Sequence, residues 1–152
     1  MTHSHSVEVY QASIADLEAL VSLFDGYRQF YQQASDLDGA REFLQARLAQ
    51  QDSVIFVATL DGVAVGFTQL YPSFSSVSMK RLWVLNDLFV AEVARKHGAA
   101  SSLMQRAQAY AVETGAKGLT LETAHDNLKA QRLYEGLGWQ RENDFYVYYL
   151  YF

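Results

Sequence analysis

The chain contains no cysteine among its 152 residues. It therefore has no disulfide, no thiolate nucleophile and no thiolate metal ligand, a composition that fits a reducing cytosol. The four histidines form no cluster at the spacing of metal ligands, so we expect no metal site. From these absences we predict a cytoplasmic protein that forms no covalent cysteine intermediate.

Long apolar runs and basic runs are also missing. The longest uncharged apolar runs, such as residues 54–58, have the length of a strand and are too short to cross a bilayer. The net charge is −5 and no basic run is longer than Arg95-Lys96, which disfavours binding to nucleic acid. We therefore expect neither a membrane nor a nucleic acid as partner, and the acidic balance suits a cationic small molecule.

The chain also lacks the signs of several domains. Residues 1–6 have neither the basic start nor the apolar stretch of a signal peptide, and we expect them to be a disordered leader. There is no internal repeat and no linker rich in Gly, Ser or Pro, and 152 residues is an ordinary size for one domain. We predict a single domain over residues 7–152.

Hydrophobic periodicity predicts the order β-α-α-β-β-β-α-β-α-β, which is an α/β fold with a mixed sheet. Asp61-Gly62 is typical of a two-residue hairpin turn, and Pro72 with its neighbouring serines predicts a loop. The last strand is apolar on both faces, so we expect a second subunit to cover it in a homodimer. The predicted strands cover residues 7–11, 53–60, 63–71, 79 or 80 to 90, 119–123 and 145–152, and the predicted helices cover residues 17–31, 38 or 39 to 48, 98–114 and 127–137.

A strand-turn-helix segment offers a phosphate site. The predicted strand ends at Val90, and the next helix begins at Gly98 with small residues after it. Amides at a helix start are unpaired and carry partial positive charge, and Arg95 and Lys96 add charge beside them. Neither Gly-Lys-Ser/Thr nor G-x-G-x-x-G is present, which excludes two other phosphate loops. The simpler alternative is a helix that starts at a glycine beside surface basic residues.

A second motif, N-x-x-A-x-x-L-Y-x-x-x-G-W over residues 127–139, follows R-x-x-G-x-A over residues 95–100. Together the two motifs resemble the GNAT superfamily of acetyl-CoA-dependent N-acetyltransferases, whose fold the predicted elements match along nearly the whole chain. The resemblance implies that backbone of Leu88, Phe89 and Val90 pairs with the pantetheine arm and that Asn127 bonds the same arm. It implies that Tyr134 protonates the departing thiolate, although Tyr134 packed on the core face of its helix is the alternative. It also implies a pyrophosphate site formed by the backbone amides of Lys96, His97, Gly98, Ala99, Ala100 and Ser101.

The general base is less clearly marked. Residues 83–90 resemble the diamine (spermidine/spermine) acetyltransferases of this superfamily, which have Glu-Asp where this chain has Asn86-Asp87. An asparagine cannot accept a proton, and Asp87 faces the other side of the strand. We therefore expect Asp87 to bind a cationic acceptor while Asn86 orients a water, with Glu122 as a weaker candidate base. The alternative for Asp87 is a carboxylate paired with an arginine.

The first helix closes the acceptor pocket in this family, and it carries Tyr27, Arg28 and Tyr31. Arg28 would repel a polyamine and could clamp a carboxylate, although a solvated Arg28 is the alternative. We expect direct acetyl transfer from acetyl-CoA to a primary amine of a small molecule, polyamine-like or amino-acid-like. Two alternatives are an acyl-CoA-binding module with little catalysis and an acetyltransferase that modifies lysines or N-termini of proteins.

Overall fold

The computed structural model describes residues 6–152. Of the leader expected at residues 1–6 it describes Ser6, whose carbonyl accepts a hydrogen bond from the Asp61 amide at 3.4 Å; the rest of that prediction lies outside the described residues. The strands are β1 (Val7–Gln11), β2 (Val54–Leu60), β3 (Val63–Ser75), β4 (Lys80–Val90) and β5 (Gly118–Thr120), and the α-helices are α1 (Leu17–Phe30), α2 (Leu37–Gln50), α3 (Ala99–Glu113) and α4 (Leu128–Gly136).

The chain divides into two compact units, one that ends at Leu121 and one from Glu122 to Phe152. The first unit contains all five strands together with α1, α2 and α3, and the second contains α4.

The five strands form one sheet in which their spatial order follows their order in the chain. β1 to β4 pair antiparallel, whereas β4 and β5 pair parallel. Parallel neighbours need a long crossover, and α3 supplies it. The predicted α/β class with a mixed sheet is therefore confirmed.

Side-chain caps set where the first two helices start. The Ser13 amide donates to the Asp16 carboxylate at 2.8 Å, in a 3-10 turn directly before α1. The Asp36 carboxylate accepts from the Gly39 amide at 2.9 Å, which is the usual N-cap contact. Because Asp36 is the cap, α2 begins at Leu37, one or two residues earlier than the predicted start at 38 or 39.

The turn between β2 and β3 has the predicted form. Leu60 pairs with Val63, which leaves two residues in the turn. Asp61 has φ of 51° and Gly62 has φ of 82°, so both adopt the left-handed conformation of the favoured hairpin turn.

The loop predicted at Pro72 is wrong, because β3 continues to Ser75 and Pro72 pairs with Trp83 of β4. Proline cannot donate to a second neighbour, so it is confined to strands that are paired on one side. That condition is met here, since the pairing of β2 with β3 ends at Val54 and Leu70.

Helices cover both faces of the sheet. α1 and α2 pack on one face, where alternate strand residues point inwards. α3 packs on the other face, where the ring centroids of Phe56 and Tyr110 lie 5.5 Å apart. The buried side chains on the α1–α2 side include Leu20, Val21, Leu44, Ile55, Val57 and Phe67.

The strand predicted at residues 145–152 is wrong for the described chain, which contains no strand after α4. All eight side chains are exposed, the least exposed being Tyr149 at 61%. A high β-propensity does not by itself make a strand, because a strand requires a neighbour to pair with. β5 is also shorter than predicted and ends at Thr120, so Glu122 lies outside any strand.

Candidate active site

A β-bulge interrupts the pairing of β3 and β4. Gln69 lies opposite Asp87 and Leu70 lies opposite Leu85, so Asn86 is an extra residue with no partner in β3. Asn86 is exposed whereas Asp87 is 4% exposed. The two neighbours therefore differ in exposure, and bulges of this kind often re-aim side chains beside functional sites.

Amide side chains hold the Asp87 carboxylate. Gln69 Nε2 donates to Asp87 Oδ2 at 2.7 Å, and Asn86 Nδ2 donates to Asp87 Oδ1 at 3.0 Å. Within residues 6–152 no arginine forms an ion pair with Asp87, which was the alternative for this carboxylate. Because amides are neutral, they satisfy the carboxylate oxygens without cancelling its negative charge.

In addition to burial, the charge of Asp87 contributes to raised pKa values of two tyrosines, Tyr27 and Tyr71. Burial, and then the negative charge of Asp87, raise the pKa of Tyr27 well above its usual range. The same two causes raise the pKa of Tyr71 to about 12. The Tyr27 hydroxyl lies 3.5 Å from the backbone oxygen of Asn86. Both phenols therefore remain protonated and can donate hydrogen bonds beside Asp87.

The other two residues predicted for the acceptor pocket, Arg28 and Tyr31, lie at the carboxyl-terminal end of α1. The Tyr31 ring packs edge-on against Tyr27, with centroids 5.2 Å apart, and Tyr31 is 55% exposed. Arg28 Nη1 donates to the Ala34 carbonyl at 3.1 Å, in the connection between α1 and α2. Arg28 is half-buried, and this bond ties its guanidinium group to the α1–α2 connection.

The carboxyl-terminal half of β4 leaves one backbone edge without a strand neighbour. β5 pairs with β4 only at residues 82–84, so within the described chain residues 85–90 have no strand on that side. Leu88, Phe89 and Val90 lie in this stretch and are half-buried. An unpaired strand edge can accept an extended amide chain as an added strand.

α3 begins close in sequence to that edge. Gly98 is the N-cap residue, with φ of 80° and no side chain to cap the helix, and Ser102 N is bonded to its carbonyl at 3.0 Å. The amides of residues 99–101 precede this first helical bond and point out of the helix start. A Cβ on Gly98 meets nothing within 4 Å, so its conformation, rather than space, requires glycine here.

The basic residues before α3 are exposed. Lys96 has φ of 73°, a left-handed conformation that folds the loop tightly. Arg95 Nε donates to the Val90 carbonyl at 3.3 Å, which ties this loop to the end of β4. His97 is exposed in the same loop.

The second unit carries the remaining predicted residues. Asn127 is the N-cap of α4, and its Oδ1 accepts from the Ala130 amide at 3.3 Å. Tyr134 lies on α4, half-buried, with its ring centroid 6.2 Å from that of Trp139. Glu122 accepts from the Tyr149 hydroxyl at 2.7 Å and thereby raises the pKa of that tyrosine.

Three polar residues of the first unit were missed from the sequence. Gln69 and Ser53 form a hydrogen-bonded chain with Asp87, since Ser53 Oγ donates to Gln69 Oε1 at 2.9 Å. Asp25 on α1 is 5% exposed and accepts bonds from the α1–α2 connection. The sequence does contain one sign of such residues, which is a polar side chain within an apolar periodic segment. A polar side chain at a buried position is uncommon unless it is hydrogen-bonded.

Two further features of the described residues concern metal binding and membrane spans. Within residues 6–152, no three acidic or histidine side chains are arranged to hold a metal ion. In the same part of the chain, no helix has the length and apolar character that a membrane span requires.

Comparison with known proteins places the chain in a family. A model of the acetyltransferase (GNAT) family matches residues 18–139. An uncharacterised N-acetyltransferase of Bacillus subtilis strain 168, YhfO, is 51% identical over 144 residues, which are 95% of this chain and 97% of that protein. A crystal structure of a probable acetyltransferase superimposes with a TM-score of 0.91 at 42% identity, covering 95% of this chain and 97% of that one.

A more distant structure, an aminoglycoside N-acetyltransferase in complex with CoA, has a TM-score of 0.81 at 20% identity and covers 99% of this chain and 98% of that one. At that identity the likeness shows a common fold. The GNAT family uses acetyl-CoA as its co-substrate. Since the family match spans most of the sequence and the similar proteins share its activity, the chain belongs to the GNAT family and is an N-acetyltransferase.

Proposed function

We propose that the protein transfers an acetyl group from acetyl-CoA to a primary amine of a small cationic molecule. The observation that carries this proposal is the buried Asp87 carboxylate, whose oxygens are held by neutral amides at a bulge of β4. A buried carboxylate attracts an ammonium group strongly, because little water screens the pair.

The residues that would hold acetyl-CoA follow from the unpaired edge and the helix start. Backbone of Leu88, Phe89 and Val90 is suited to pair with the amides of the pantetheine arm, since this stretch has no strand neighbour towards β5. The first-turn amides of α3 are suited to the pyrophosphate, with Arg95 and Lys96 exposed beside them. The role of Asn127 on the pantetheine arm rests on the resemblance of residues 127–139 to the family motif, and its Nδ2 is the group proposed for it, because its Oδ1 caps α4.

The acyl transfer would be direct. The amine must lose a proton before it attacks the thioester carbon, and Asp87 would hold the ammonium beside Asn86. The Asn86 amide donates to Asp87, so its carbonyl oxygen is the group that can orient a water to take that proton. As the new N–C bond forms and the C–S bond breaks, the Tyr134 hydroxyl would donate its proton to the CoA thiolate.

The acceptor is polyamine-like or amino-acid-like in this proposal, and the surroundings of Arg28 favour the cationic amine without an acid. One guanidinium nitrogen of Arg28 is already bonded to Ala34, which leaves fewer donors for a substrate carboxylate. A comparison of kcat/KM for a diamine, its monoamine analogue and an amino acid decides between them. If Arg28 clamps a carboxylate, Arg28→Ala lowers activity on the amino acid alone; equal activity on that acceptor excludes the clamp.

Four wider features remain proposals. The likeness of residues 83–90 to diamine acetyltransferases supports a place in that branch, and we propose that the chain is cytoplasmic and acts as one domain over residues 7–152. The exposed apolar segment at residues 145–152 supports a homodimer, since a second subunit could cover it. Sedimentation that shows only monomers at micromolar concentration would exclude the dimer.

The proposed function is tested by release of free CoA from acetyl-CoA in the presence of polyamines, monoamines, amino acids and a basic peptide. We expect release that depends on a small amine and falls about 100-fold or more in Tyr134→Phe, the range of a lost general acid. Tyr146→Phe is the matched control, because Tyr146 is 90% exposed in the carboxyl-terminal segment. Binding of acetyl-CoA without release on any acceptor supports a binding module, and release with the peptide alone supports a protein acetyltransferase.

A further inference from the structure

A chain of three polar side chains crosses the strands next to the bulge. Ser53 lies directly before β2, Gln69 lies on β3 and Asp87 lies on β4. Ser53 Oγ donates to Gln69 Oε1 at 2.9 Å, and Gln69 Nε2 donates to Asp87 Oδ2 at 2.7 Å. Gln69 is 0% exposed, so its amide is satisfied by these two side chains rather than by bulk water.

The chemistry of the three groups fixes the orientation of the Gln69 amide. An ionised carboxylate only accepts hydrogen bonds, so the NH₂ of Gln69 must face Asp87 and its oxygen must face Ser53. The Ser53 hydroxyl can donate to that oxygen, which makes the reversed amide the poorer arrangement. Ser53 thus holds the oxygen end of the Gln69 amide, and the nitrogen end of the same amide holds Asp87.

A second lock acts on the backbone of Asp87. The Thr68 hydroxyl donates to the Asp87 carbonyl at 2.7 Å, and Thr68 is also 0% exposed. Asn86 binds the other carboxylate oxygen at 3.0 Å. Both oxygens and the backbone are therefore fixed, while the carboxylate keeps lone pairs for a further donor.

We propose that Gln69 is a positioning residue for the acceptor amine, which it orients through the Asp87 carboxylate, and that Ser53 sets the orientation of Gln69. This inference rests on the proposed role of Asp87 with the acceptor. Gln69 itself does not touch the substrate. Its effect is to keep the Asp87 carboxylate in one orientation while the amine binds and reacts. A small displacement of the amine at that stage lowers the reaction rate.

The first test replaces Gln69 by methionine, which has similar volume and removes both the donor and the acceptor. We expect kcat/KM for the amine to fall about tenfold or more, with KM for acetyl-CoA within about twofold of wild type. A purely structural role predicts a lower melting temperature with unchanged kinetic constants for the folded enzyme. That outcome would overturn the proposal.

A milder pair of variants covers the case in which Gln69→Met does not fold. Ser53→Ala removes the donor that orients Gln69, and Ser53→Thr restores it. We expect Ser53→Ala to lower kcat/KM for the amine by roughly threefold to tenfold and Ser53→Thr to return it towards the wild-type value. Equal activity of the two variants on the amine contradicts the role of Ser53.

A charge-transposed variant separates position from stability. The double variant Gln69→Glu, Asp87→Asn can re-form both hydrogen bonds between positions 53, 69 and 87. The carboxylate at position 69 accepts from the Ser53 hydroxyl and from the amide at position 87. The negative charge has then moved from β4 to β3. We expect a melting temperature near that of wild type and a loss of about tenfold or more in kcat/KM for the amine. Wild-type activity in this variant shows that the position of the charge is unimportant and overturns the inference.

The proposed function and this inference fail differently. If wild-type protein acetylates no small amine, the proposed function is wrong. If wild-type protein is active and Asp87→Asn is inactive while Gln69→Met and Ser53→Ala retain full kcat/KM, Asp87 acts without positioning by Gln69, and only the inference fails.

Discussion

Gly66 lies where β3 approaches β4 too closely for a side chain. It pairs with Val90, and a Cβ at this position would lie 2.8 Å from the Phe89 carbonyl oxygen and 3.1 Å from Val90 Cγ2. The first contact is with backbone and cannot be relieved by a side-chain rotation. Gly66→Ala therefore has to displace the backbone of residues 89 and 90, which is the stretch proposed to bind pantetheine.

The magnitude follows from two opposing effects. Overpacking of a close contact costs about 1–3 kcal/mol, and the loss of glycine flexibility in the unfolded chain returns about 0.4–1 kcal/mol. Taken from the middle of both ranges, the net destabilisation is about 1–2 kcal/mol for Gly66→Ala. For a protein of this size, each kcal/mol lowers the melting temperature by roughly 2–4 °C, so we expect a decrease of about 2–8 °C.

Gly118→Ala is the matched control, because Gly118 lies in β5 and a Cβ there meets nothing within 4 Å. It should raise the melting temperature slightly, by about 1–4 °C, and leave acetylation unchanged. Scanning calorimetry and initial rates against acetyl-CoA check both variants. We expect KM for acetyl-CoA to rise about threefold to tenfold in Gly66→Ala alone. A Gly66→Ala protein with wild-type melting temperature and KM would refute the argument from close approach.

Two further predictions concern the start of α3 and the α1–α2 connection. Gly98→Ala places a side chain at φ of 80°, which costs about 1–2 kcal/mol, and should raise KM for acetyl-CoA more than KM for the amine in steady-state assays. Asp25→Asn tests a carboxylate whose pKa is lowered first by the Asp36 amide and then by the Ser35 hydroxyl. A lowered pKa stabilises the fold above the ordinary aspartate range, so urea titrations should show Asp25→Asn less stable at pH 7 and the difference shrinking below about pH 4. A difference that stays constant with pH contradicts this account of Asp25.

The sequence predicted most of the fold because most elements carry local signals. Asp61-Gly62 has the residues that its turn requires, and Gly98 and Asn127 mark the starts of α3 and α4. Pro72 misled because the effect of a proline on a strand depends on whether a second strand needs its amide. The segment at residues 145–152 misled for a related reason, since propensity does not supply a pairing partner.

The site was predictable in part. Asn86 and Asp87 were expected to face opposite sides of β4, and their exposures do differ. Their side chains are nevertheless hydrogen-bonded to each other at 3.0 Å, because the bulge interrupts the alternation of the strand. Gln69 was missed because one polar residue in an apolar strand carries no information about its partner across the sheet. Its role depends on the register that places it opposite Asp87, and register is a property of the paired strands.

The bulge explains how one strand can serve both faces of the sheet. Trp83 and Phe89 are six residues apart and would share a face in a regular strand. Trp83 instead packs on Tyr110 of α3, with ring centroids 5.3 Å apart, whereas Phe89 packs near Tyr27 of α1 at 6.1 Å. The unpaired Asn86 lies between them and reverses the alternation. If all these residues paired in regular alternation, without the bulge, Asp87 would share the face of Trp83 and lie under α3. The proposed acceptor site therefore depends on the bulge as much as on the carboxylate itself.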